Sequence, residues 1–163
     1  MQVRSAGWLA LLGLVAHAVD AAPRTADSID GTYQLTRRVL ANGSTLVPPD
    51  VRAIYTLRRG HFSLNLFFKN SDGTLASEST IGRFSFSPSR YCEWIEATTR
   101  NNIDPPGVTN EIPKLSDHCA AVSSNGGKFV FVDPGENVTS HFGRGGFVAI
   151  IDNGDRDYWT KLK

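Results

Sequence analysis

The sequence predicts an all-β protein, an up-and-down antiparallel β-barrel of about eight or nine strands. Three observations lead to this prediction. The 163 residues include 15 glycines and nine phenylalanines but one methionine, a composition that favours turns and strands over long helices. Apolar and polar residues alternate along several short segments, and turn signals separate them at fairly regular intervals. A barrel is favoured because closure removes exposed strand edges, and a β-sandwich is the alternative.

Residues 31–40 form the first predicted strand, because apolar and polar side chains alternate along them. The pair Asn42-Gly43 ends this strand. Pro48-Pro49 excludes a central strand from the stretch that follows, since proline has no amide hydrogen to donate to a neighbouring strand. We therefore expect a strand, a turn and an irregular crossover before the chain re-enters the sheet.

A hairpin is predicted for residues 54–58 and 61–69, with Arg59-Gly60 as its tight turn. The second segment carries the strongest alternation in the chain. Four large apolar side chains fall on one face, which we expect to point inward: Phe62, Leu64, Leu66 and Phe68. Phe67 falls on the opposite face, where we expect the segment 101–116 or the N-terminal lead-in to cover it.

The remaining predicted strands follow at short intervals after the hairpin. They are residues 80–87, 91–99, 119–123, 128–132, 147–151 and 158–162, with a further short piece between 136 and 143. Turn signals separate most of them, including Pro88, Asn125-Gly126-Gly127 and Asn153-Gly154-Asp155. Residues 101–116 lack sustained periodicity and contain three prolines, which predicts a long loop of the kind that forms lids or binding loops.

Residues 1–22 have the features of a secretory signal peptide that is removed from the mature protein. Arg4 precedes a short apolar run at residues 8–16, and small residues follow at cleavage-compatible spacing. The run is about half of the ~20 residues that a membrane span requires, and no other stretch approaches that length. We expect a secreted or periplasmic protein with no membrane span, whose barrel domain comprises residues 31–163.

Cys92 and Cys119 are the two cysteines of the chain. In an oxidising compartment an even pair is most simply one disulfide, and two buried free thiols are the alternative. Neither cysteine belongs to a metal-binding or thiol-exchange motif, so no metal site is predicted.

Charge and motifs exclude several classes of function. The 17 basic and 16 acidic residues nearly cancel, which excludes a dedicated nucleic-acid binder. No nucleotide-binding or hydrolase motif occurs, so no cofactor is predicted. If the barrel is a cyclase or isomerase, His61, Glu93 or Glu96 would be its acid or base, although surface charge is the simpler interpretation. Glu93 and Glu96 lie on opposite faces of a strand, so only one can point inward.

Asn42 and Asn137 each begin an N-glycosylation acceptor triplet, Asn42-Gly43-Ser44 and Asn137-Val138-Thr139. Both fall in predicted turns or strand ends, where a glycan is sterically tolerated. Their use depends on the organism, which the sequence does not reveal.

The chain resembles the lipocalins, and more closely the lipocalin-like single-domain proteins of the calycin group. Residues 31–35 are similar to the Gly-x-Trp start of that family, with Tyr33 in place of the tryptophan. An Asn-Gly turn, a proline-containing crossover and a Gly-started hairpin follow as in the family pattern, and residues 158–162 resemble its last strand. The resemblance implies a barrel of roughly eight strands whose interior accepts one small hydrophobic molecule.

A lipocalin-like protein that binds a small hydrophobic ligand is therefore the leading hypothesis. Eight inward positions are its candidate ligand contacts: Tyr33, Tyr55, Phe62, Leu64, Leu66, Phe84, Phe129 and Phe131. Two alternatives stay open, a cyclase or isomerase that acts on an apolar substrate inside the barrel, and a secreted interaction or effector protein whose barrel is filled by its own side chains.

Overall fold

A computed structural model describes residues 28–70, 72–103, 106–113, 118–134 and 137–163. Throughout these residues the protein is all-β, as predicted, and contains no helix. It follows that no membrane-spanning helix is found in this part of the chain. The signal peptide predicted for residues 1–22 lies outside the described residues.

Thirteen strands are formed within the described residues. They are β1 (Gly31–Val39), β2 (Thr45–Leu46), β3 (Val51–Arg58), β4 (His61–Lys69), β5 (Leu75–Ser87), β6 (Arg90–Asn101), β7 (Val108–Glu111), β8 (His118–Ala121), β9 (Ser123–Asn125), β10 (Lys128–Asp133), β11 (Val138–Gly143), β12 (Gly146–Ile150) and β13 (Arg156–Lys161). Strands β2, β7, β8 and β9 have two to four residues each, and the other strands have at least five. The count exceeds the expected eight or nine for two reasons. Strands β2 and β7 are too short to show a recognisable alternation, and the single strand predicted for residues 119–123 is divided into β8 and β9.

The strands form one curled antiparallel sheet, which makes a half-barrel. Their order is β7-β6-β5-β4-β3-β1-β13-β12-β11-β10-β9, with β2 beside β1 and β8 beside β6. Consecutive strands are neighbours along most of this path, and β1 joins the first half of the chain to the last strand. The curl brings β10 against β8 and β6, so side chains from both arms of the sheet meet in one interior.

The predicted hairpin turns are confirmed. Arg59 and Gly60 connect β3 to β4 with φ angles of 52° and 79°, and Gly126 and Gly127 connect β9 to β10 with 58° and 74°. Two consecutive left-handed residues match the right-handed twist of the flanking strands. The first of these turns sets the register in which Tyr55 lies opposite Leu64.

The prediction of a long loop over residues 101–116 is wrong in its central part. Val108–Glu111 is a strand that pairs with the end of β6, from Asn101↔Val108 to Thr98↔Glu111. Asn102 and Gly107, with φ angles of 54° and 98°, lie at the two ends of the turn. A four-residue strand is too short to show a periodic pattern, and the prolines around it favour the prediction of a loop.

The predicted inward face of β4 is confirmed, whereas the cover predicted for Phe67 is not. Phe62 is buried, and Leu64, Leu66 and Phe68 pack against the same core. Phe67 points outward and keeps 56% of its surface exposed. In the described part of the segment 101–116, β7 lies beside β6, and both β6 and β5 separate it from β4. Ile29, the buried residue of the lead-in, lies instead beneath Tyr33 in the core.

A ladder of aromatic rings crosses the interior from one arm of the sheet to the other. Tyr91 stacks on Phe131, Phe131 on Phe142, Phe142 on Phe147, and Phe147 on Trp159, with ring centroids 4.4, 5.6, 4.4 and 5.3 Å apart. The last two contacts join residues that lie directly opposite each other on neighbouring strands. Such cross-strand aromatic pairs stabilise a sheet beyond their buried area.

The predicted disulfide between Cys92 and Cys119 is confirmed. The two residues lie directly opposite each other on β6 and β8, with their Cα atoms 4.0 Å apart. This distance is within the range of about 7 Å in which a bridge can form. The disulfide fastens the short strand β8 to the long strand β6.

Replacing Tyr33 by phenylalanine is expected to lower the free energy of unfolding by about 0.5–1.5 kcal/mol at neutral pH. The buried Tyr33 hydroxyl donates a 2.7 Å hydrogen bond to the Ile29 carbonyl, which the variant loses. Burial, and secondarily the Asp30 carboxylate, raises the pKa of Tyr33 well above its ordinary value of 10.0. The folded state thus disfavours the ionised hydroxyl, so the contribution of Tyr33 to stability is constant below about pH 10 and falls as the pH rises further. Urea denaturation between pH 7 and 11 should show a shallower fall for the variant, and an equally steep fall would contradict this assignment.

Candidate ligand site

An interior cavity of about 190 Å³ lies toward the end of the half-barrel where β1 ends. Its apolar lining is formed mainly by Tyr55, Phe62, Leu64, Leu66, Phe147 and Trp159. Its polar lining is formed mainly by Arg38, Glu78, Glu93, Asp133, Ser140 and Asp157. A dry apolar cavity of about 150 Å³ holds benzene, so this volume suits a molecule of one or two small rings.

The apolar lining is an arrangement of rings around Tyr55. The centroid of the Tyr55 ring lies 6.1 Å from that of Phe62, 6.0 Å from that of Phe147 and 6.1 Å from that of Trp159. The Phe62 ring packs directly over Gly82 on β5, where an added Cβ would lie 2.5 Å from it and 2.3 Å from the Trp94 carbonyl. Glycine at this position therefore allows Phe62 to occupy the cavity wall.

Arg38 and Asp157, two residues of the polar lining, form a bidentate ion pair. The Arg38 Nε and Nη2 atoms each donate a 2.6 Å hydrogen bond to an Asp157 carboxylate oxygen, and the side chains are 15% and 7% exposed. The two residues lie directly opposite each other on β1 and β13. Burial lowers the pKa of Arg38, but the hydrogen bonds and charge of Asp157 outweigh it and raise the pKa overall. The Arg38 guanidinium therefore stays charged.

Glu78 is held by a cation from outside the cavity. The Arg100 guanidinium donates to Glu78 and Glu111, both at 3.0 Å. Thr80, which also lines the cavity, donates a 3.2 Å hydrogen bond to the second oxygen of Glu78. These contacts give the Glu78 carboxylate one orientation at the edge of the cavity.

Glu93 and Asp133 receive hydrogen bonds from neutral hydroxyl groups. The Tyr91 hydroxyl donates to Glu93, which is 8% exposed, and the Ser140 hydroxyl donates to Asp133 at 2.8 Å. Burial raises the pKa of Tyr91 well above its ordinary value, and the nearby Tyr55, Glu93 and Asp133 raise it further. Tyr91 therefore remains a neutral donor.

The structure divides the eight predicted ligand contacts into two groups. Four of them line the cavity: Tyr55, Phe62, Leu64 and Leu66. The other four are core residues outside its lining: Tyr33, Phe84, Phe129 and Phe131. Tyr33 and Phe129 border a separate groove of about 480 Å³ near the start of β1. The eight predicted positions thus divide equally between the cavity lining and the packed core, and two of the six aromatic ones line the cavity.

The three candidate acids and bases also separate. Glu93 points into the cavity, whereas Glu96 points outward, where it pairs with Arg83 at 2.7 Å and is 41% exposed. His61 is exposed on the outer face of β4. The expectation that only one of the two glutamates faces inward is met, and the inward one is Glu93.

Sequence reasoning missed several residues of the cavity, above all Arg38, Asp133 and Asp157. A bulge between Leu35 and Arg37 shifts the alternation of β1, so Arg38 faces inward where a strict period of two places it outward. For the two aspartates a signal exists. Asp133 follows Phe131 by two residues and Asp157 precedes Trp159 by two, so each shares the face of a buried aromatic side chain.

Comparison with known proteins finds no matching family model, no matching curated protein and no matching solved structure. In the described part of the chain, no group of three or more His, Cys, Asp and Glu side chains is placed to hold a metal ion. The interpretation of the cavity therefore depends on its own geometry.

Proposed function

We propose that this chain is an exported, lipocalin-like binding protein that holds one small, mainly apolar molecule inside its half-barrel. The observation that carries the proposal is the interior cavity of about 190 Å³ between an aromatic wall and a set of oriented polar groups. Small-molecule sites typically combine an apolar lining with a few placed polar groups. The Gly31-Thr32-Tyr33 start and the hairpin pattern that resemble the lipocalins support the assignment to that type of barrel.

The size of the cavity favours ligand binding over a barrel filled by its own side chains. At about 30 Å³ per water molecule, the space corresponds to roughly six waters, more than packing defects usually leave. The disulfide supports export, because such bonds persist mainly in oxidising compartments. The pattern of residues 1–22 supports it independently.

A cyclase or isomerase on the same scaffold is the second candidate function. It is favoured by the burial of Glu93 and by its hydrogen bond from the Tyr91 hydroxyl, since a buried carboxylate beside a proton donor is a common acid–base arrangement. Chemical conversion of a bound apolar compound that is lost in Glu93→Gln, with binding retained, would favour the enzyme. Unchanged recovery of the compound favours the binding protein.

Replacing Leu64 by alanine is expected to change ligand affinity more than stability. Leu64 lines an open cavity, so its loss should cost less than the about 2–5 kcal/mol of a packed leucine. The reverse change, Ala149→Leu, adds apolar volume to the same cavity and should weaken binding about tenfold or more. Titration with a fluorescent hydrophobic probe, together with urea denaturation, measures both effects.

Phe67→Ala is the matched control for these variants. It removes an apolar side chain from the same strand on the outer face and should leave probe affinity unchanged. Strong destabilisation by Leu64→Ala with no probe binding in the parent protein would discard the binding function and favour a filled barrel. Loss of binding in Phe67→Ala alone would place the probe on the outer surface, which also contradicts the proposal.

A further inference from the structure

Charged residues are divided unevenly between the two ends of the half-barrel. Strand β1 starts at the end where the β3–β4, β5–β6, β9–β10 and β11–β12 turns lie, because neighbouring strands are antiparallel. Strand β13 ends there too, since Lys161 pairs with Tyr33. We name this end the basic end, because its turns, strand ends and described lead-in carry one carboxylate, that of Asp30, against six lysine and arginine side chains. The six are Arg58, Arg59, Arg90, Lys128, Arg144 and Lys161.

The opposite end has the reverse sign. Its described turns and strand ends carry two cations, Lys69 and Arg156, against five carboxylates. The five belong to Asp50, Asp72, Asp133, Asp152 and Asp155. The formal net charge of +1 over the whole chain therefore conceals two ends of opposite charge.

The charges of the basic end are not compensated within the described part of the chain. None of its six cations forms an ion pair with a described carboxylate. Arg90 donates to the Cys119 Sγ atom at 3.1 Å, and the Lys161 ammonium donates to the Asp30 carbonyl, so both partners are neutral groups. All six except the half-buried Lys161 are exposed. Their remaining N–H groups are therefore open to an external anion.

A groove of about 480 Å³ at the basic end is bordered by three of these cations, Lys128, Arg144 and Lys161. No described carboxylate belongs to its lining. The turns around it are uncovered: a Cβ added at Gly126 would meet no atom within 4 Å, and one at Gly143 would meet the Gly146 carbonyl at 4.0 Å. The groove therefore has room for an anionic group that three cations border.

The distribution of the cations favours a flat partner. They come from four turns and the end of β13, on both arms of the sheet, rather than from one strand. An extended polymer meets such side chains along one line, whereas a negatively charged surface meets the whole end at once. Single-stranded nucleic acid also requires exposed aromatic rings for stacking. In the described part of this end, Leu162 is the one large apolar side chain that is exposed.

We propose that the basic end docks on an anionic lipid surface, with lipid phosphate groups at Lys128, Arg144 and Lys161. Lysine and arginine side chains are attracted to such a surface over about 10 Å at 0.1 M salt. Arginine adds paired hydrogen bonds to phosphate oxygens. The interior cavity lies toward the opposite end, so docking leaves it facing away from the lipid.

Cosedimentation of the full chain with lipid vesicles tests the docking. One set is pure phosphatidylcholine, and the other mixes phosphatidylcholine with phosphatidylserine at about 2:1. We expect binding to the anionic vesicles to be about tenfold or more tighter at about 0.05 M salt, and to be lost at about 0.5 M salt. Equal binding to both sets, binding that salt does not weaken, or no binding to either set would overturn the proposal.

A pair of double variants locates the docking surface. Lys128→Glu with Arg144→Glu reverses two charges at the groove and should weaken binding to the anionic vesicles by about tenfold or more. Lys69→Glu with Arg156→Glu changes the net charge equally at the opposite end and is the matched control, which should keep most of the binding. Equal loss in both would show that net charge, rather than the basic end, sets the binding, and contradicts the proposal. If the groove variant does not fold, the lipid and salt comparison on the parent protein still decides.

Two further measurements separate the docking from other functions. Heparin and a short DNA duplex are added as soluble polyanions, and binding to either without binding to anionic vesicles would assign the basic end to a polymer and overturn the proposal. The affinity of the fluorescent hydrophobic probe should be the same in the groove variant and the parent protein, because Lys128 and Arg144 do not line the cavity. Failure of vesicle binding thus refutes the docking alone, and failure of probe binding refutes the proposed ligand-binding function alone.

Discussion

Replacing Asp157 by alanine is expected to lower the free energy of unfolding by about 3–5 kcal/mol. The change leaves the Arg38 guanidinium, which is 15% exposed, without the carboxylate that takes two of its hydrogen bonds. A buried charge that loses its partner retains its desolvation cost and gains nothing in return. Urea denaturation of the variant and the parent protein measures the difference directly.

Two comparisons separate burial from charge in this experiment. The Arg83–Glu96 pair has similar geometry, at 2.7 Å, but its side chains are 49% and 41% exposed, so Glu96→Gln should cost less than about 1 kcal/mol. The double variant Arg38→Met with Asp157→Leu removes both charges and should recover most of the stability lost in Asp157→Ala. If Asp157→Ala lowers the free energy of unfolding no more than Glu96→Gln does, burial does not strengthen the Arg38–Asp157 pair, and the prediction is wrong.

Removing the disulfide by replacing Cys92 and Cys119 with alanine is expected to lower the free energy of unfolding by about 3–4 kcal/mol. The bond closes a loop of 27 residues, and loss of this constraint increases the entropy of the unfolded chain by the corresponding amount. The effect on the native state should be local, because β8 has four residues and pairs with β6 through residues 90–93. Parallel denaturation of the oxidised parent protein, the reduced parent protein and the double variant gives the cost.

Hydrogen exchange provides the accompanying local test. Amides of β8 should exchange faster after reduction, whereas those of β4, in the middle of the sheet, should keep their order of protection. Equal stability of the oxidised and reduced forms would show that the bond adds no constraint beyond the native pairing of β6 with β8.

Local sequence features predicted much of the sheet. Alternation identified the inward face of β4, since only one register buries Phe62, Leu64, Leu66 and Phe68 together. Gly60 and Gly126 marked their hairpins, because two-residue turns of this type require left-handed backbone. Two cysteines in a chain with a signal-like start were sufficient to predict the disulfide.

The sequence predicted the polar lining of the cavity much less well. Glu93 was recognised as a candidate for an inward position, but Arg38 was not, because a bulge in β1 reverses the alternation at that point. The strand Val108–Glu111 leaves no pattern in the sequence, because its pairing with β6 involves too few residues. Features of this kind arise from contacts between strands rather than from the order of residues within one strand.

The sequence by itself determined the all-β class, the hairpins and the inward apolar positions, because each depends on residue types within a few positions of one another. It indicated the disulfide through the number of cysteines, which is two. Only the tertiary structure decided which inward positions pack together and which border a cavity. The aromatic rings of Tyr91, Phe131 and Phe142 fill one part of the interior, while the last two rings of the ladder, Phe147 and Trp159, border the open part together with Tyr55 and Leu64. That distinction depends on the curl of the whole sheet, which brings Arg38, Glu93 and Asp133 from distant strands to the lining of one cavity.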